Sequence, residues 1–246
     1  MTDVEEREFV WRASDFKRVQ ALIYDRAGIS LHQGKQAMVY SRLARRLREH
    51  GFRRFEDYLN WLDQHEGEEW QEFINALTTN LTSFFREAHH FDVLHRLLQS
   101  RPASASWHAW CSAASTGEEP YSIAMTAMQA LGAHHDFRLW ASDIDSKVLQ
   151  TAAKGVYPAD ALKGVDEAKL QRYFLRGKGH NRGLVKVRPE LQNMVTFLSV
   201  NLIQDDWPFE EPFDVVFCRN VMIYFDGPTQ REVLKRLHRV MKPGAL

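Results

Sequence analysis

The stretch WCSAASTGEEP, residues 110–120, decides the fold of the second half of the chain. The stretch Trp107–Ala113 is typical of a strand, and Pro120–Leu131 carries its apolar residues on one face of a helix. The turn between them consists of small residues, which let a ligand approach the backbone closely, and the helix start offers free N–H groups. The sequence therefore predicts a ligand-binding turn between a strand and a helix.

The chemistry of this turn narrows the class of ligand. It lacks the glycine spacing of a dinucleotide-binding turn and the lysine of a phosphate-binding loop. Glu118 and Glu119 stand where a phosphate would lie, so a cationic ligand, or one with hydroxyls and an amine, suits the turn better. The alternative is a plain turn whose acids are favoured by the positive end of the helix dipole.

Strands and helices go on alternating further along the chain. Phe137–Ala141 and Phe213–Cys218 are apolar enough to be buried strands, and Lys147–Ala153 and Thr229–Met241 are predicted helices. Such alternation is typical of a parallel sheet with crossover helices, so we expect an α/β domain over residues 100–246.

Two other regions differ from this pattern. Residues 155–200 contain two short strand-like runs, Leu184–Arg188 and Val195–Val200, and the glycine-rich loop RGKGHNRG, which together predict a small β insert. Residues 1–99 have no proline and place their glycines where helices could end, which predicts an all-helical N-terminal domain.

Acidic side chains follow the second predicted strand. Asp143 comes about 26 residues after Gly117, close to the ~20 expected for an acid that accepts hydrogen bonds from ribose hydroxyls. We assign this role to Asp143 and a helix cap to Asp145. The alternative is that the acids here only cap the helix that follows.

Polar side chains also follow the third predicted strand. It ends in Cys218, Arg219 and Asn220, with Tyr224 a few residues beyond. Because ligands of open α/β sheets bind outside the carboxyl ends of the strands, these side chains would face the ligand. The alternative is that Tyr224 and Phe225 are ordinary core aromatics.

Two features of the helical half carry charge in unusual places. Arg86 follows the polar run TTNLTS and would lie in the first turn of a helix, where the dipole disfavours a cation. The alternative is that Arg86 is a solvated charge and that Thr82 or Ser83 caps the helix.

Further upstream, one helix carries a basic stripe that suits an acidic partner. The alternative is that this stripe is simply the solvated face of the helix. The stripe consists of Arg42, Arg45, Arg46 and Arg48.

Composition excludes several classes of protein. Lys and Arg number 32, as do Asp and Glu, and this zero net charge argues against non-specific nucleic-acid binding. The distant Cys111 and Cys218 exclude a disulfide framework and fit a cytoplasmic setting. We expect no membrane insertion, because no apolar run is long enough. The pairs His89–His90 and His134–His135 lack metal-binding spacing, so no metal is expected.

Five stretches, in order and spread over most of the chain, together resemble the chemotaxis receptor methyltransferases of the CheR type. They are TTNLTSFFREAHHF at 78–91, SAASTGEEPYSIAM at 112–125, ASDID at 141–145, VNLI at 200–203 and FCRNVMIYFD at 217–226. The resemblance implies a helical N-terminal domain and a Rossmann-like domain for S-adenosylmethionine (SAM) with an inserted β subdomain. It also implies methyl transfer from SAM to glutamate side chains of receptor cytoplasmic helices, leaving S-adenosylhomocysteine.

The resemblance assigns roles to individual residues by position. Arg86 and Tyr224 would face the methyl-transfer centre, where neither needs to carry a proton, because a glutamate with a pKa near ~4.3 is already ionised at pH 7. The residues that would contact the cofactor are Asn80, Thr82, Arg86, Ala113, Glu118, Asp143, Asn201, Leu202, Cys218, Arg219 and Asn220.

The resemblance also implies partners. The basic stripe would dock on the acidic methylation helices of a chemoreceptor, and the β insert would pair with the receptor's C-terminal tether peptide by strand addition. We expect a monomer, and we expect the final strands of the domain to be missing, because family members continue beyond MKPGAL. Two alternatives are a methyltransferase for a small molecule or nucleic acid, and a SAM-binding receptor adaptor without transfer activity.

Overall fold

The computed structural model describes residues 8–102, 105–132 and 136–246. Among these residues, none of the helices combines the length and the apolar character needed to cross a membrane.

The chain divides into two units. The first comprises Met1–Thr79 with Met222–Glu232, and the second comprises Asn80–Val221 with Val233–Leu246. The boundary at residues 79 and 80 lies earlier than the one predicted between residues 99 and 100.

The first unit is helical, which confirms the predicted fold of the N-terminal region. Both α1 (Ala13–Ala27) and α2 (Gln36–His50) end at a glycine in the left-handed conformation, Gly28 with φ 68° and Gly51 with φ 74°, because only glycine adopts this φ without strain. Its N-terminal helices are α1 (Ala13–Ala27), α2 (Gln36–His50), α3 (Phe55–Gln64) and α4 (Glu68–Leu77).

The segment Met222–Glu232 is held to the first unit by hydrogen bonds. It contains a short 3-10 turn, Met222–Tyr224, and the start of the last helix. The backbone N–H of Ser30 donates to the carbonyl oxygen of Tyr224 at 2.8 Å. The Tyr24 hydroxyl donates to the Asp226 carboxylate at 3.0 Å.

The second unit is built on strands with helices between them, as the alternating pattern predicts. Its helix α5 (His89–Gln99), predicted for the N-terminal domain, packs instead against α6 (Glu118–Leu131), which explains the earlier boundary. The helices are α5 (His89–Gln99), α6 (Glu118–Leu131), α7 (Ser146–Lys154), α8 (Glu167–Tyr173), α9 (Pro189–Gln192) and α10 (Gly227–Arg239), the last of which begins in the first unit. The strands are β1 (Trp107–Cys111), β2 (Phe137–Asp143), β3 (Val156–Pro158), β4 (Phe174–Arg176), β5 (Leu184–Val187), β6 (Val195–Ser199) and β7 (Val215–Phe217).

The larger sheet is parallel throughout, in the order β6-β2-β1-β7. All five residues of β1 are buried, as expected for a strand that is covered on both faces of a parallel sheet. Together with the helices and a second, antiparallel sheet, this arrangement confirms the predicted α/β fold with a β insert.

One strand was assigned to the wrong sheet. Val195–Val200 was predicted as part of the insert, but Val195–Ser199 pairs in parallel with β2, with Val195 opposite Leu139. A short apolar run looks the same in either sheet, because its pairing partner is distant in sequence. The strand therefore forms an edge of the parallel sheet.

The insert proper is the antiparallel sheet β3-β5-β4. The loop RGKGHNRG joins β4 to β5, with Phe174 opposite Val187 and Arg176 opposite Val185, which confirms the predicted hairpin.

Candidate functional site

The candidate site lies within the second unit, where the parallel strands end. Because β1, β2, β6 and β7 run in the same direction, their carboxyl ends share one edge of the sheet, the usual place for a ligand in such folds. The predicted cofactor residues after these strands therefore lie along one edge.

The turn after β1 comes close to its neighbours. Ser115 has φ 48° and Gly117 has φ 100°, so the backbone takes left-handed conformations twice. The N–H of Ala114 donates to the carbonyl of Ser142 at 2.8 Å, which ties the turn to β2. Ala113 is half-buried in the same turn, and its predicted cofactor contact stays a prediction.

Asp143 joins two of the loops. Its Oδ2 accepts a hydrogen bond from the N–H of Ser115 at 2.8 Å, and its Oδ1 accepts one from the N–H of Asp145 at 3.0 Å. Burial raises the pKa of this carboxyl above its ordinary value, although the two backbone donors oppose the rise. The carboxylate thus orders the edge around it, and its ribose contact stays a prediction.

Asp145 caps α7, as predicted. Its Oδ1 accepts from the N–H groups of Lys147 at 2.9 Å and Val148 at 3.3 Å. Its other oxygen accepts from the side-chain amide of Asn80 at 2.8 Å, and the carbonyl of Asn80 accepts from the Ser115 hydroxyl at 3.0 Å. Asn80 is therefore fixed to the loops after both β1 and β2.

Glu118 is a buried carboxylate at the start of α6. Its Oε2 accepts from the Thr116 hydroxyl at 2.6 Å, and burial raises its pKa. In the part of the chain that the structure describes, no Lys, Arg or His forms an ion pair with it. A buried carboxylate without a cationic partner, beside a turn of small residues, fits a positively charged ligand.

Arg86 does not lie in a helix. The predicted helix start after Ser83 is wrong, because α5 begins at His89 and residues 84–88 form a turn with Phe85 at φ 53° and Glu87 at φ 57°. Neither Thr82 nor Ser83 is therefore the cap of α5, and Thr82 is half-buried in the extended segment before the turn.

Arg219 is buried by acidic and carbonyl partners from its own unit. Its guanidinium pairs with Glu119, donates to the carbonyl of Arg86 at 2.7 Å and lies 3.2 Å from the Glu87 carboxylate. The amide of Asn220 donates to the same carboxylate at 3.3 Å, so the pKa of Glu87 is lowered, by Asn220 first and Arg219 second. Both terminal nitrogens of Arg219 therefore bind partners in its own unit, whereas its buried Nε has no hydrogen-bond partner among the described residues, and its predicted cofactor contact stays a prediction.

The other predicted cofactor residues lie in loops at the same edge. Asn201 follows β6, where its side-chain oxygen accepts from the N–H of Ile203 at 3.2 Å, and Leu202 beside it is buried. Cys218 follows β7 and is half-buried, and burial raises the pKa of its thiol. A thiol with a raised pKa stays protonated at neutral pH, so Cys218 is not an activated nucleophile.

Tyr224 belongs to the first unit, where it is half-buried in the turn held by Ser30. Phe225 beside it is a buried aromatic, as its alternative assignment predicts. The role of Tyr224 at the reacting centre stays a prediction.

Several contacts that shape this site leave no signal in the amino-acid sequence. The Tyr157 hydroxyl, from the β insert, donates to the carbonyl of Thr116 at 2.8 Å. The Ser122 hydroxyl accepts from the N–H of Phe85 at 3.0 Å. Only the left-handed Gly117 offers a signal, since a glycine before a helix indicates a close neighbour.

The basic stripe on α2 is not uniformly exposed. Arg42 donates to the carbonyl oxygens of Ala76 and Thr78, and Arg46 is bound by Glu69 and Glu72 from α4. Arg45 and Arg48 have exposed side chains. Each of these two pairs with an exposed acid, Arg45 with Glu49 at 2.9 Å and Arg48 with Glu8 at 2.7 Å, so a partner's acidic groups would have to compete with those pairs.

Arg46 is expected to stabilise the first unit. Its side chain is 12% exposed and that of Glu69 is 8% exposed, so Arg46→Ala removes the arginine that neutralises a buried carboxylate. Tyr58 at 2.7 Å and His50 at 2.8 Å would still contact that carboxylate. We expect a loss of about 2–4 kcal/mol in the free energy of unfolding, measured by denaturant titration. Arg45→Ala, 75% exposed, is the matched control and should cost less than about 0.5 kcal/mol; equal losses would contradict the prediction.

No cluster of three or more His, Cys, Asp or Glu side chains suitable for a metal occurs within residues 8–102, 105–132 and 136–246. His89 and His90 lie in α5, whereas His134 and His135 fall outside the described residues.

Family comparisons cover both units. The all-alpha domain of the CheR methyltransferases matches residues 14–78, and the SAM-binding domain of the same family matches residues 80–246. The boundary between the two matches falls where the structure divides the chain.

Curated relatives are similar over nearly the whole chain. It is 53% identical over 234 residues to the chemotaxis protein methyltransferase of Klebsiella aerogenes, covering 94% of this chain and 80% of the relative. The protein of the same name from Escherichia coli K12 is also 53% identical, over 94% of this chain and 81% of its own length. Chemotaxis protein methyltransferase 2 of Pseudomonas aeruginosa is 46% identical, over 98% and 86%. The chain belongs to the CheR methyltransferase family, and residues 80–246 are its SAM-binding domain.

Proposed function

We propose that this chain transfers the methyl group of SAM to glutamate side chains on the cytoplasmic helices of chemoreceptors, forming glutamyl methyl esters in chemotaxis adaptation. The observation that carries the proposal is the buried carboxylate of Glu118, which has no basic partner among the described residues and lies beside the turn of small residues. The names of the relatives, chemotaxis protein methyltransferases, support the acceptor class.

The residues at the sheet edge fit SAM. When bound, SAM supplies a methyl group on a positively charged sulfur, and it also carries an amine and two ribose hydroxyls. Glu118 offers a negative charge for the cationic part, and Asp143 has acceptor capacity beyond the two N–H groups that it binds. We propose that Asn80, Thr82, Ala113, Asn201, Leu202, Cys218 and Asn220 line the rest of the cofactor site.

The acceptor needs little help with proton transfer. A glutamate side chain is ionised at neutral pH, so no general base is required, and the protein's task is to orient the carboxylate and exclude water. We propose that Arg86 and Tyr224 orient the reacting groups. Arg86 is half-buried and donates to the carbonyl of Leu81 at 3.0 Å, which leaves other guanidinium donors for a carboxylate.

Incubation with methyl-labelled SAM and a purified receptor cytoplasmic domain tests the proposal. We expect label on the receptor that is released as methanol by mild base, as a methyl ester requires. Tight SAM binding without label on the receptor would instead indicate an adaptor. Label that appears only on added small molecules or nucleic acid would indicate a different acceptor class, and either result would overturn the proposal.

SAM affinity is expected to fall as the pH is lowered. Burial raises the pKa of Glu118 above 4.5, so its proton returns at a higher pH than in an exposed glutamate, and the neutral form attracts a cation less. In the protein without SAM, the raised pKa of Glu118 contributes folding stability that is fully present below pH 4.5. That contribution is lost as the pH rises through the raised pKa. Calorimetric titrations between about pH 5 and 8 should show weaker binding at the acidic end. Glu118→Gln should flatten this dependence, and an unchanged slope would contradict it.

We propose that Arg45 and Arg48 provide the receptor-docking charge of α2. Arg45→Glu with Arg48→Glu should lower receptor methylation at low salt while SAM affinity stays unchanged. Arg46 is left out of this test because it is held by Glu69 and its loss would disturb the fold. Equal methylation rates of the double variant and the unaltered protein would exclude docking through this surface.

We propose that the β insert binds a receptor tether peptide through the edge strand β4. The support is the charge of residues 172–188, which carry six Lys or Arg side chains and no acid, in a chain of zero net charge. An acidic tail peptide of the receptor should bind in calorimetry, and Arg176→Glu with Lys178→Glu should weaken it at least about 10-fold. Lys163→Glu, outside the hairpin, is the control. We also propose that the protein is a monomer, which light scattering tests, and that it is located in the cytoplasm.

A further inference from the structure

We propose that the buried pair of Glu119 and Arg219 is a positioning device that holds the turn carrying Arg86 in the shape needed for methyl transfer. The proposal rests on the proposed function for its kinetic consequence, whereas its structural consequence stands independently.

The turn at residues 84–88 needs external support. Phe85 and Glu87 both have positive φ, 53° and 57°, a conformation that side chains other than glycine adopt rarely and that persists only where the surroundings impose it. The segment carries no glycine, so its own sequence does not favour this shape. The neighbouring residues must therefore hold it.

Arg219 supplies two of the contacts that hold the turn. One of its terminal nitrogens donates to the carbonyl of Arg86 at 2.7 Å and lies 3.2 Å from the Glu87 carboxylate. Its side chain is 11% exposed, and the guanidinium lies 5.7 Å from the centre of the Phe91 ring. The planar fork is thus fixed against Arg86 and Glu87, two consecutive residues of the turn.

Glu119 in turn fixes Arg219. It lies at the start of α6, a rigid element, with its side chain 10% exposed, and it pairs with the other terminal nitrogen of Arg219. The thiol of Cys111 donates to the other carboxylate oxygen of Glu119, Oε1, at 3.4 Å. A chain of contacts therefore runs from α6 through Arg219 to the backbone of Arg86.

A second contact from α6 acts on the same turn. The Ser122 hydroxyl accepts from the N–H of Phe85 at 3.0 Å and donates to the carbonyl of Glu118 at 2.7 Å. The turn is thus bound to α6 on both sides of Arg86, whose side chain the proposed function places at the reacting centre. Arg219 acts through Arg86 and not on the substrate.

A double-mutant cycle on Arg86 and Arg219 tests the proposal. Arg219→Lys keeps the charge beside Glu119 but removes the fork that reaches the Arg86 carbonyl. We expect it to lower kcat for receptor methylation by about 10-fold to 100-fold with little change in the Kd of SAM. In the Arg86→Ala background the same change should have little further effect. Multiplicative losses, or weaker SAM binding in both backgrounds, would show a direct contact and overturn the proposal.

Amide hydrogen exchange gives a readout that needs no activity. Arg219→Lys should speed exchange in residues 84–88, and Arg101→Lys is the matched control, because it alters an arginine paired with the buried Asp214 at 2.7 Å elsewhere in the same unit. Should Arg219→Lys fail to fold, Ser122→Ala should speed exchange in the same segment. Unchanged exchange in the folded variant refutes the positioning role, whereas absent receptor methylation in the unaltered protein refutes only the proposed function.

Discussion

Asp143→Ala is expected to weaken SAM binding at least about 10-fold, the loss that one charge-assisted hydrogen bond accounts for. The Asp143 carboxylate accepts the N–H groups of Ser115 and Asp145, and both partners are buried. Its removal deletes an acceptor for the cofactor and also releases the two loops that surround the site. Calorimetric titration with SAM measures the change.

The same variant should lose only moderate stability. Two buried donors left without an acceptor would cost about 1–3 kcal/mol each. Against this, burial raises the pKa of the Asp143 carboxyl, which means that the ionised group is itself costly to bury. We therefore expect a net loss of about 1–3 kcal/mol, so the variant stays folded and its affinity can be measured.

Two further variants separate the causes. Asp143→Asn keeps one oxygen acceptor but turns an NH₂ group towards the second donor. Its affinity for SAM should therefore lie between that of Asp143→Ala and that of the unaltered protein. Asp166→Ala removes an exposed carboxylate that accepts a hydrogen bond from the N–H of Lys169 at 2.9 Å, at the start of α8. Its Kd for SAM should not change. An unchanged Kd in Asp143→Ala would exclude Asp143 from the cofactor site.

Local sequence patterns predicted the elements whose signals are local. The turn between β1 and α6, the cap by Asp145 and the hairpin between β4 and β5 each depend on residues within a few positions of one another. Each was confirmed by the structure, because small residues, a capping acid and a glycine-rich loop act on their own neighbourhood.

The wrong predictions concern partners that are distant in sequence. Val195–Ser199 pairs with β2, which no feature of the run itself reveals. Arg46 belongs to an exposed stripe by helical geometry alone, but α4 brings Glu69 against it. The turn at residues 84–88 has no glycine to mark it, since its shape is imposed by Arg219 and Ser122.

Gly117→Ala is expected to destabilise the second unit by about 2–5 kcal/mol. The left-handed φ of 100° costs a residue with a Cβ about 1–2 kcal/mol, and overpacking adds about 1–3 kcal/mol. A Cβ at this position would lie 2.7 Å from the Tyr157 hydroxyl, 2.8 Å from the Ala152 Cβ and 3.0 Å from its Cα. Because part of this contact is backbone of α7, the strain cannot be relieved by a side-chain rotation alone. Denaturant unfolding measures the loss.

Gly164→Ala is the control that isolates the close approach. Gly164 also has a left-handed φ, 91°, in the same unit, but a Cβ there would meet nothing within 4 Å. It should therefore cost only about 1–2 kcal/mol, the strain of the backbone conformation. Equal losses at the two glycines would show that the turn after β1 has room to move. A larger loss at Gly117 would instead show that the turn is held against the β insert and α7 by direct contact. Tyr157→Phe, made in the Gly117→Ala variant, should then restore part of the lost stability. In that case the displaced turn should also bind SAM more weakly, since the N–H of Ser115 would leave Asp143.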